Sequence, residues 1–564
     1  MKSIIYQVLP RLWGDYGSEN GNAEKTLSGC GCGRFSDMDE PSLDYMKSLG
    51  VTHVWLTGVI RHATKARENG CTPSHPQFVK GEAGSPYAIT DYYDVNPYLS
   101  DNPDKRMDEF ESLIKRIHDA GLKVIIDFVP NHVSRDYGRH GSAAPDGIGI
   151  LGAGDDVSVH WRPENDFFYY PGISLQLPDE KEFSEECKAL LEGDAGKTFR
   201  ILPQWLADAA RSGEDLSAYG ELLEPFAEVP AKATGNNYTA QPTVNDWYET
   251  VKLNYCDFRT GTWDKMLDII RFWAGKGVDG FRCDMVELVP AEFFTWMIKT
   301  VKEEYPDIEF IAEVYQKNLY AKYIRDVGFD ILYDKSGLYD SLRAIVVKNV
   351  HDDERPGLWQ SARQITGSWQ FLGDLQPYML NFLENHDEQR IASPFFAGKA
   401  ENAFAAFAVS LLLNTAPFML YAGQETGEEG MDDEPFSGVN GRTTIFDWWQ
   451  VGSLRRLWRY IHGADSADPV LGRYRELLRF ASTEPAIYEG SMFDLCYCNH
   501  SSEGFDSDRH FAFLRSGGGK TFLIAANFSR EAAEMTLNIP PEAFEGREKV
   551  KVRVEAMDCA IVLL

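Results

Sequence analysis

Eight short runs of apolar, β-forming residues recur along this chain, with helical patterns between them. The runs are Ile4 to Leu9, Val51 to Thr57, Lys123 to Val129, Gly280 to Asp284, Glu309 to Val314, Asp330 to Tyr333, Tyr378 to Leu383 and Pro417 to Tyr421. In the intervals, residues such as Trp263, Met266, Leu267, Ile270 and Trp273 repeat at the three and four spacing of one buried helical face. Asp108 to Ala120 and Ala291 to Glu304 follow the same rule. Strands apolar on both faces need helices over those faces, and parallel strands need a crossover between them. Eight such units predict an α/β fold, a (β/α)₈ TIM barrel with insertions.

The stretch from Pro130 to Thr262 is too long for one crossover. It is rich in turn formers, at Gly152 to Gly154 and Thr234 to Asn237, and holds the aromatic run Phe167, Phe168, Tyr169, Tyr170. Long functional loops leave a barrel at the carboxyl ends of its strands, so an inserted subdomain after strand 3 is expected over the barrel mouth. From about residue 485 the pattern turns to short alternating runs, His510 to Leu514, Lys520 to Ala526, Glu534 to Asn538 and Lys549 to Val554. These predict a C-terminal antiparallel β-sandwich domain. The expected plan is a barrel over 1–132 and 255–484, an inserted subdomain over 133–254 and a C-terminal β domain over 485–564.

Composition narrows the partners. A formal charge of −30 over 564 residues repels nucleic-acid phosphates and anionic headgroups, so neither nucleic acid nor membrane is an expected partner. A neutral sugar is unaffected. The longest apolar stretch, Ala403 to Leu413, is too short to cross a bilayer, and Met1 to Val8 runs straight into the first strand without a cleavage signal. Nine cysteines, an odd number with no Cys-x-x-Cys, suit a reducing compartment, and the cytoplasm is the expected location. No feature specifies an oligomeric state.

In such a barrel the carboxyl ends of the strands face the active-site mouth. Reading those ends gives Asp127, then Asn131 and His132; Arg282 and Asp284; Glu313; His386 and Asp387. Each has an ordinary structural reading on its own. Asp127 ends a buried strand and can bond to its neighbours; Arg282 and Asp284, two apart on one strand face, can form a plain ion pair. Together they are costly to fold unless function retains them. Paired carboxylates with supporting charge suit glycoside cleavage, in which one attacks the anomeric carbon and the other protonates the departing oxygen. Arg282 is expected to keep Asp284 ionised, while the charge of Asp284 keeps Glu313 protonated. Asp387 and the two histidines are left to bind ring hydroxyls.

These residues stand in motifs that resemble those of the α-amylase family. Asp127-Phe-Val-Pro-Asn-His132 is similar to that family's third-strand motif, Gly280-Phe-Arg-Cys-Asp284 to its nucleophile motif, Ala312-Glu313-Val314 to its acid motif and Asn385-His386-Asp387 to its seventh-strand motif. The resemblance implies a retaining glycoside hydrolase with Asp284 as nucleophile, Glu313 as general acid/base and Asp387 as transition-state stabiliser. It places Asp127, His132, Arg282 and His386 around the cleaved sugar, with Tyr87 of Ser85-Pro-Tyr-Ala-Ile-Thr-Asp91 stacking beneath it. The implied substrates are starch, glycogen or maltooligosaccharides, cut at α-1,4 bonds through a covalent glycosyl-enzyme, and no cofactor is required for that chemistry.

Two departures bear on specificity. Met285-Val286-Glu287 follows the nucleophile where many true α-amylases carry a Lys-His pair, which puts Glu287 on the leaving-group side. Asn131 matches a position that binds calcium in many members, although metal-free members keep the same Asn, so a structural calcium is an open expectation there. The segment Asp15 to Asp37 reads as a surface loop or as a second ion site. An α-glucanotransferase or α-glucosidase shares the scaffold and differs in what resolves the intermediate. A non-catalytic carbohydrate-binding barrel is disfavoured by the intact Asp284, Glu313 and Asp387. A metal-dependent barrel hydrolase is disfavoured because Tyr6 to Pro10 holds no His-x-His.

Overall fold

Each of the eight apolar runs becomes a strand of one closed parallel barrel. A computed structural model describes residues 1–17, 22, 25–138, 149–194, 197–352, 354–435 and 437–564. The barrel strands are β1 (Ile4–Val8), β2 (His53–Leu56), β3 (Lys123–Phe128), β4 (Gly280–Cys283), β5 (Glu309–Ala312), β6 (Ile331–Tyr333), β7 (Met379–Phe382) and β8 (Phe418–Tyr421). Consecutive strands are neighbours around the ring, and β8 closes on β1 with Ile5 opposite Met419. Gly280 lets β4 and β5 approach: a Cβ there would lie 3.1 Å from the Glu309 carbonyl oxygen.

The helices pack their predicted stripes onto this ring. In Gly261–Gly275 the residues Trp263, Met266, Leu267, Ile270 and Trp273 are all buried, and in Ala291–Glu304 so are Phe294, Met297, Ile298 and Val301. Burial of such faces supplies most of the helices' stability, since isolated helices of this length are marginal in water.

After β3 the chain leaves the barrel as a strand, His132–Ser134, and returns as Thr250–Lys252, paired antiparallel to it with His132 opposite Lys252. The insert therefore starts and ends at one point of the mouth. Between these strands lie two helices, Glu180–Leu191 and Gln204–Arg211, with a small core of their own built on Phe183, Leu190, Leu202, Trp205 and Leu206. Trp205 Nε1 donates to the Lys65 carbonyl at 2.7 Å, which ties this helical cap to the loop after β2.

The C-terminal strands are β9 (Ser491–Asp494), β10 (His510–Gly517), β11 (Lys520–Asn527), β12 (Ala533–Asn538), β13 (Lys549–Val554) and β14 (Cys559–Leu563). They form a four-stranded antiparallel sheet, β9-β10-β11-β14, and a β12-β13 pair. Leu514 and Leu523 of the first share a core with Met535, Val550 and Val552 of the second. β13 alternates strictly between exposed and buried residues, as its Lys-Val-Lys-Val-Arg-Val pattern requires. Buried Arg515 fastens this domain to the barrel by donating to the carbonyls of Ala486, Ile487 and Leu413. No helix among the described residues is long and apolar enough to cross a membrane.

Candidate active site

The strand ends converge on Arg282. Its guanidinium is completely buried and is surrounded by the rings of Trp55, Tyr87 and Tyr333, with centroids 5.6, 5.5 and 5.6 Å away. Nε donates to the Tyr333 hydroxyl at 3.2 Å, and Nη1 donates to Asp284 Oδ1 at 2.6 Å. Nη2 lies 3.0 Å from Glu313 Oε1. One planar fork thus holds two carboxylates from adjacent strands, a geometry that a lysine cannot reproduce.

Glu313 collects further donors. The Tyr315 hydroxyl donates to Oε1 at 2.5 Å and the Met285 backbone N–H donates to Oε2 at 2.8 Å. Met285 adopts φ 45°, left-handed and strained for a long side chain, and that twist aims its amide at Glu313.

These contacts decide where charge sits. Burial raises the Glu313 pKa, but Arg282, the Tyr315 hydroxyl and the Met285 amide outweigh it, and the net direction is down. Asp284 goes the other way, well above the usual carboxylate range, through burial reinforced by the charge of Glu313 and only partly offset by Arg282. The sequence had suggested an ionised Asp284 beside a protonated Glu313. Glu313 accepts from more donors than Asp284 does, and these contacts favour its ionised form.

Asp387 lies across the pocket, its side chain 42% exposed, with Oδ2 at 3.1 Å from His386 Nε2. The neighbouring charge of Glu313 acts to raise its pKa. His386 stays neutral, its pKa lowered to about 3 by burial and by Arg282. Gln7 Nε2 donates to Thr57 Oγ1 and lies 2.8 Å from His386 Nδ1, and His386 Nε2 lies 2.5 Å from the Tyr87 hydroxyl. Tyr87 stacks on the same ring, 5.3 Å between centroids. His132, also neutral and lowered to about 3 by burial, packs against Trp247 of the insert at 5.2 Å.

These groups line a cavity of about 400 Å³, with Lys80, Glu249, Glu434, Arg442 and Phe446 among its other walls. It brings together Tyr87, His132, Asp284, Glu313, His386 and Asp387 from the sequence reading. Three expected sugar contacts fall outside the wall: Arg282, which is buried behind the two carboxylates it pairs with, Asp127 and Glu287. Asp127 lies behind Tyr87, accepting from its hydroxyl and from the Gly58 amide at 3.4 Å each, and Arg282 Nη1 is 3.9 Å away. Glu287 is absent from the wall: its carboxylate accepts from the Tyr315 and Gln316 amides at 2.9 and 3.2 Å, fastening the β4 loop to the β5 loop.

The calcium expectation at Asn131 meets a different occupant. Lys252 Nζ donates to Asn131 Oδ1 and, at 2.8 Å, to the Leu288 carbonyl. Asn131 Nδ2 donates to the Gly235 carbonyl at 3.1 Å. A buried amine where the cation would bind does not fit a hard-cation site, which needs several free oxygen ligands. In the Asp15 to Asp37 segment, Asp15 pairs with Arg455, Asp37 accepts from the Arg34 amide and Asn22 is bonded to Gln450. Residues 18–21 and 23–24 of that segment lie outside the described residues.

Tyr315 was missed by sequence reasoning: it lies in the loop beyond the end of β5, where strand periodicity gives no signal. Arg442, which donates to the Asp387 carbonyl at 2.6 Å, and Glu434 come from an irregular loop that carries no such signal.

Residues 33–181 and 245–463 match the family described as alpha amylase, catalytic domain. The chain belongs to the α-amylase family. It is therefore an enzyme of glycoside hydrolase type, and the gap in the match falls within the insert. Alpha-amylase 3 of Dictyoglomus thermophilum is 22% identical over 77% of this chain and 66% of that protein. Cyclomaltodextrin glucanotransferase of a Bacillus species is 22% identical over 77% of this chain and 51% of that protein. Trehalose-6-phosphate hydrolase of Bacillus subtilis is 23% identical over 95% of this chain and 91% of that protein. The chain spans 66% and 51% of the lengths of the first two. Among solved structures, cyclic α-maltosyl-(1→6)-maltose hydrolase of Arthrobacter globiformis superimposes with TM-score 0.61 at 17% identity, over 100% of this chain and 98% of that one. At that identity the likeness establishes the fold.

Proposed function

We propose that this family member hydrolyses α-1,4-glucosidic bonds of maltooligosaccharides, starch or glycogen with retention of configuration. The observation that carries this reading is the single Arg282 fork holding Asp284 and Glu313 in one sugar-sized pocket. Two carboxyl groups that share one guanidinium are consistent with double displacement, which works at about 5–5.5 Å between them.

In the first step an Asp284 oxygen attacks the anomeric carbon, the bond from that carbon to the leaving oxygen breaks, and Glu313 passes its proton to that oxygen. In the second, Glu313 takes a proton from water, the hydroxide attacks the same carbon and Asp284 is released as carboxylate. The step requires the shared proton on Glu313 at the outset. A glycosidic oxygen is an acceptor, and in taking the place of the Tyr315 hydroxyl as the partner of Glu313 it draws the proton there. Arg282 then stabilises the charge left on Asp284. Asp387 and His386 stand in the cavity wall where they can meet sugar hydroxyls, and contacts that tighten as the ring flattens lower the barrier.

The cyclomaltodextrin glucanotransferase among the relatives keeps transfer as the second reading, because a sugar hydroxyl can replace water in the second step. Incubation with maltoheptaose, pullulan and starch, followed by chromatography of the products, tests both: shorter products mean hydrolysis, products longer than the substrate mean transfer, and no turnover contradicts the proposal.

A further inference from the structure

Gln7, in β1, is completely buried and has no place in the cavity wall. Its amide nonetheless reaches the catalytic site, with Nε2 3.0 Å from Thr57 Oγ1 and 2.8 Å from His386 Nδ1. The His386 ring itself has little freedom: Tyr87 stacks on it at 5.3 Å with 25° between the planes, and Trp55 meets it edge-on at 5.9 Å. What this packing leaves open is which nitrogen carries the hydrogen, since a neutral imidazole has one donor and one acceptor.

A glutamine amide can meet Nδ1 with its oxygen or with its nitrogen, and the groups at Nε2 decide between them. Two oxygens stand there, the Tyr87 hydroxyl at 2.5 Å and Asp387 Oδ2 at 3.1 Å. The hydroxyl donates its own hydrogen to Asp127 Oδ1 at 3.4 Å, which leaves its oxygen to accept, and a carboxylate oxygen can only accept. Both call for a hydrogen on Nε2. Nδ1 is then a buried lone pair that is costly without a donor. The NH₂ of Gln7 has two hydrogens, one for Nδ1 and one for Thr57 Oγ1. Arg282 and Glu313, the remaining charges that act on the ring, do so in opposite senses.

We propose that Gln7 is a positioning residue of the reaction: by donating to Nδ1 it fixes His386 in the tautomer whose hydrogen is on Nε2, the side of Tyr87 and Asp387. The inference rests on the hydrolase reading above and adds to it a side chain that never meets the sugar. Without this donor the hydrogen is free to move to Nδ1. Nε2 then turns a lone pair toward Asp387 and repels the carboxylate that the mechanism uses beside it.

Gln7→Glu is nearly isosteric and separates this role from packing. While the new carboxyl group and the imidazole share one extra proton, on whichever of the two it sits, a hydrogen lies between them and Nε2 keeps its own. Once that proton is lost, the carboxylate can only accept, so it draws the remaining imidazole hydrogen to Nδ1 and makes Nε2 an acceptor. The variant should work at low pH and fail at high pH. Its kcat/KM on maltoheptaose, divided by that of the wild type at the same pH, is expected to fall by about 100-fold between about pH 5 and pH 9. Gln7→Met fills the space without a donor and is expected to lose about ten-fold in kcat by a factor that does not vary with pH. A constant ratio for Gln7→Glu, or wild-type kcat in Gln7→Met, overturns the proposal. Nitrogen-15 spectra of histidine-labelled wild-type protein, with His386→Gln identifying the signal, read the tautomer without any turnover: a hydrogen on Nε2 is expected, and one on Nδ1 overturns the proposal while leaving the hydrolase reading in place. Wild-type protein that cleaves neither maltoheptaose nor starch overturns the hydrolase reading, and the role of Gln7 with it.

Discussion

The phenol of Tyr315 donates to Glu313 Oε1 at 2.5 Å, two residues along the same chain, while Arg282 Nη2 holds the same oxygen from 3.0 Å. Both contacts favour the ionised form of the group that the proposed mechanism uses as its acid.

Tyr315→Phe removes one donor from the ionised carboxylate and raises the Glu313 pKa. Because the acid must be protonated, the limb of the kcat/KM profile that falls toward high pH moves to higher pH, by about one unit for a charge-assisted hydrogen bond. A pH–rate profile checks this. A limb that stays in place, or moves down, contradicts the role given to Tyr315.

Arg282→Lys keeps the positive charge and loses the fork. An ammonium cannot meet Asp284 and Glu313 in plane together, so kcat/KM is expected to fall by about two to three orders of magnitude. Circular dichroism should show the fold retained. Activity within a few-fold of wild type would show that charge alone suffices.

Glu313→Gln removes the transferable proton. Turnover of maltoheptaose is expected to drop by about 10²–10⁴, while calorimetry still detects binding of the sugar. Unaltered turnover removes the acid/base assignment.

Lys252 in place of a metal makes its own prediction. A chelator should leave melting temperature and activity unchanged; a loss restored by calcium contradicts the misfit at Asn131. Lys252→Met strands the Asn131 and Leu288 oxygens and is expected to cost about 2 kcal/mol near pH 9. Burial lowers the Lys252 pKa to about 7, below its unfolded value, so as the pH falls the unfolded chain takes up that proton first. The amine's contribution is complete above about pH 10 and is lost as the pH drops through about 7. The wild-type advantage over the Met variant should therefore shrink between pH 9 and pH 7 in thermal melts.

Much of this was legible from local pattern. The eight strands were, because each is a buried run whose period and composition differ from the helices beside it. Arg282, Asp284, Glu313, His386 and Asp387 were, because a barrel presents its strand ends at one mouth. What failed depended on partners distant in sequence or on irregular backbone. Asn131 looked open to calcium until the pairing of His132–Ser134 with Thr250–Lys252 carried an amine onto it. Glu287 looked free until two β5-loop amides claimed it. The Tyr315 hydroxyl and the Met285 amide, which donate to Glu313, are contacts that a charge-only argument does not include.

The account rests on Asp284 forming a bond to the sugar. A glycosyl fluoride supplies a leaving group that needs little acid help, so Glu313→Gln treated with α-maltosyl fluoride should accumulate the intermediate. Mass spectrometry of the intact protein is expected to show a gain of one maltosyl unit, and peptide mapping to place it on Asp284. An adduct on another side chain, or fluoride release with no adduct at any time after mixing, would contradict the mechanism.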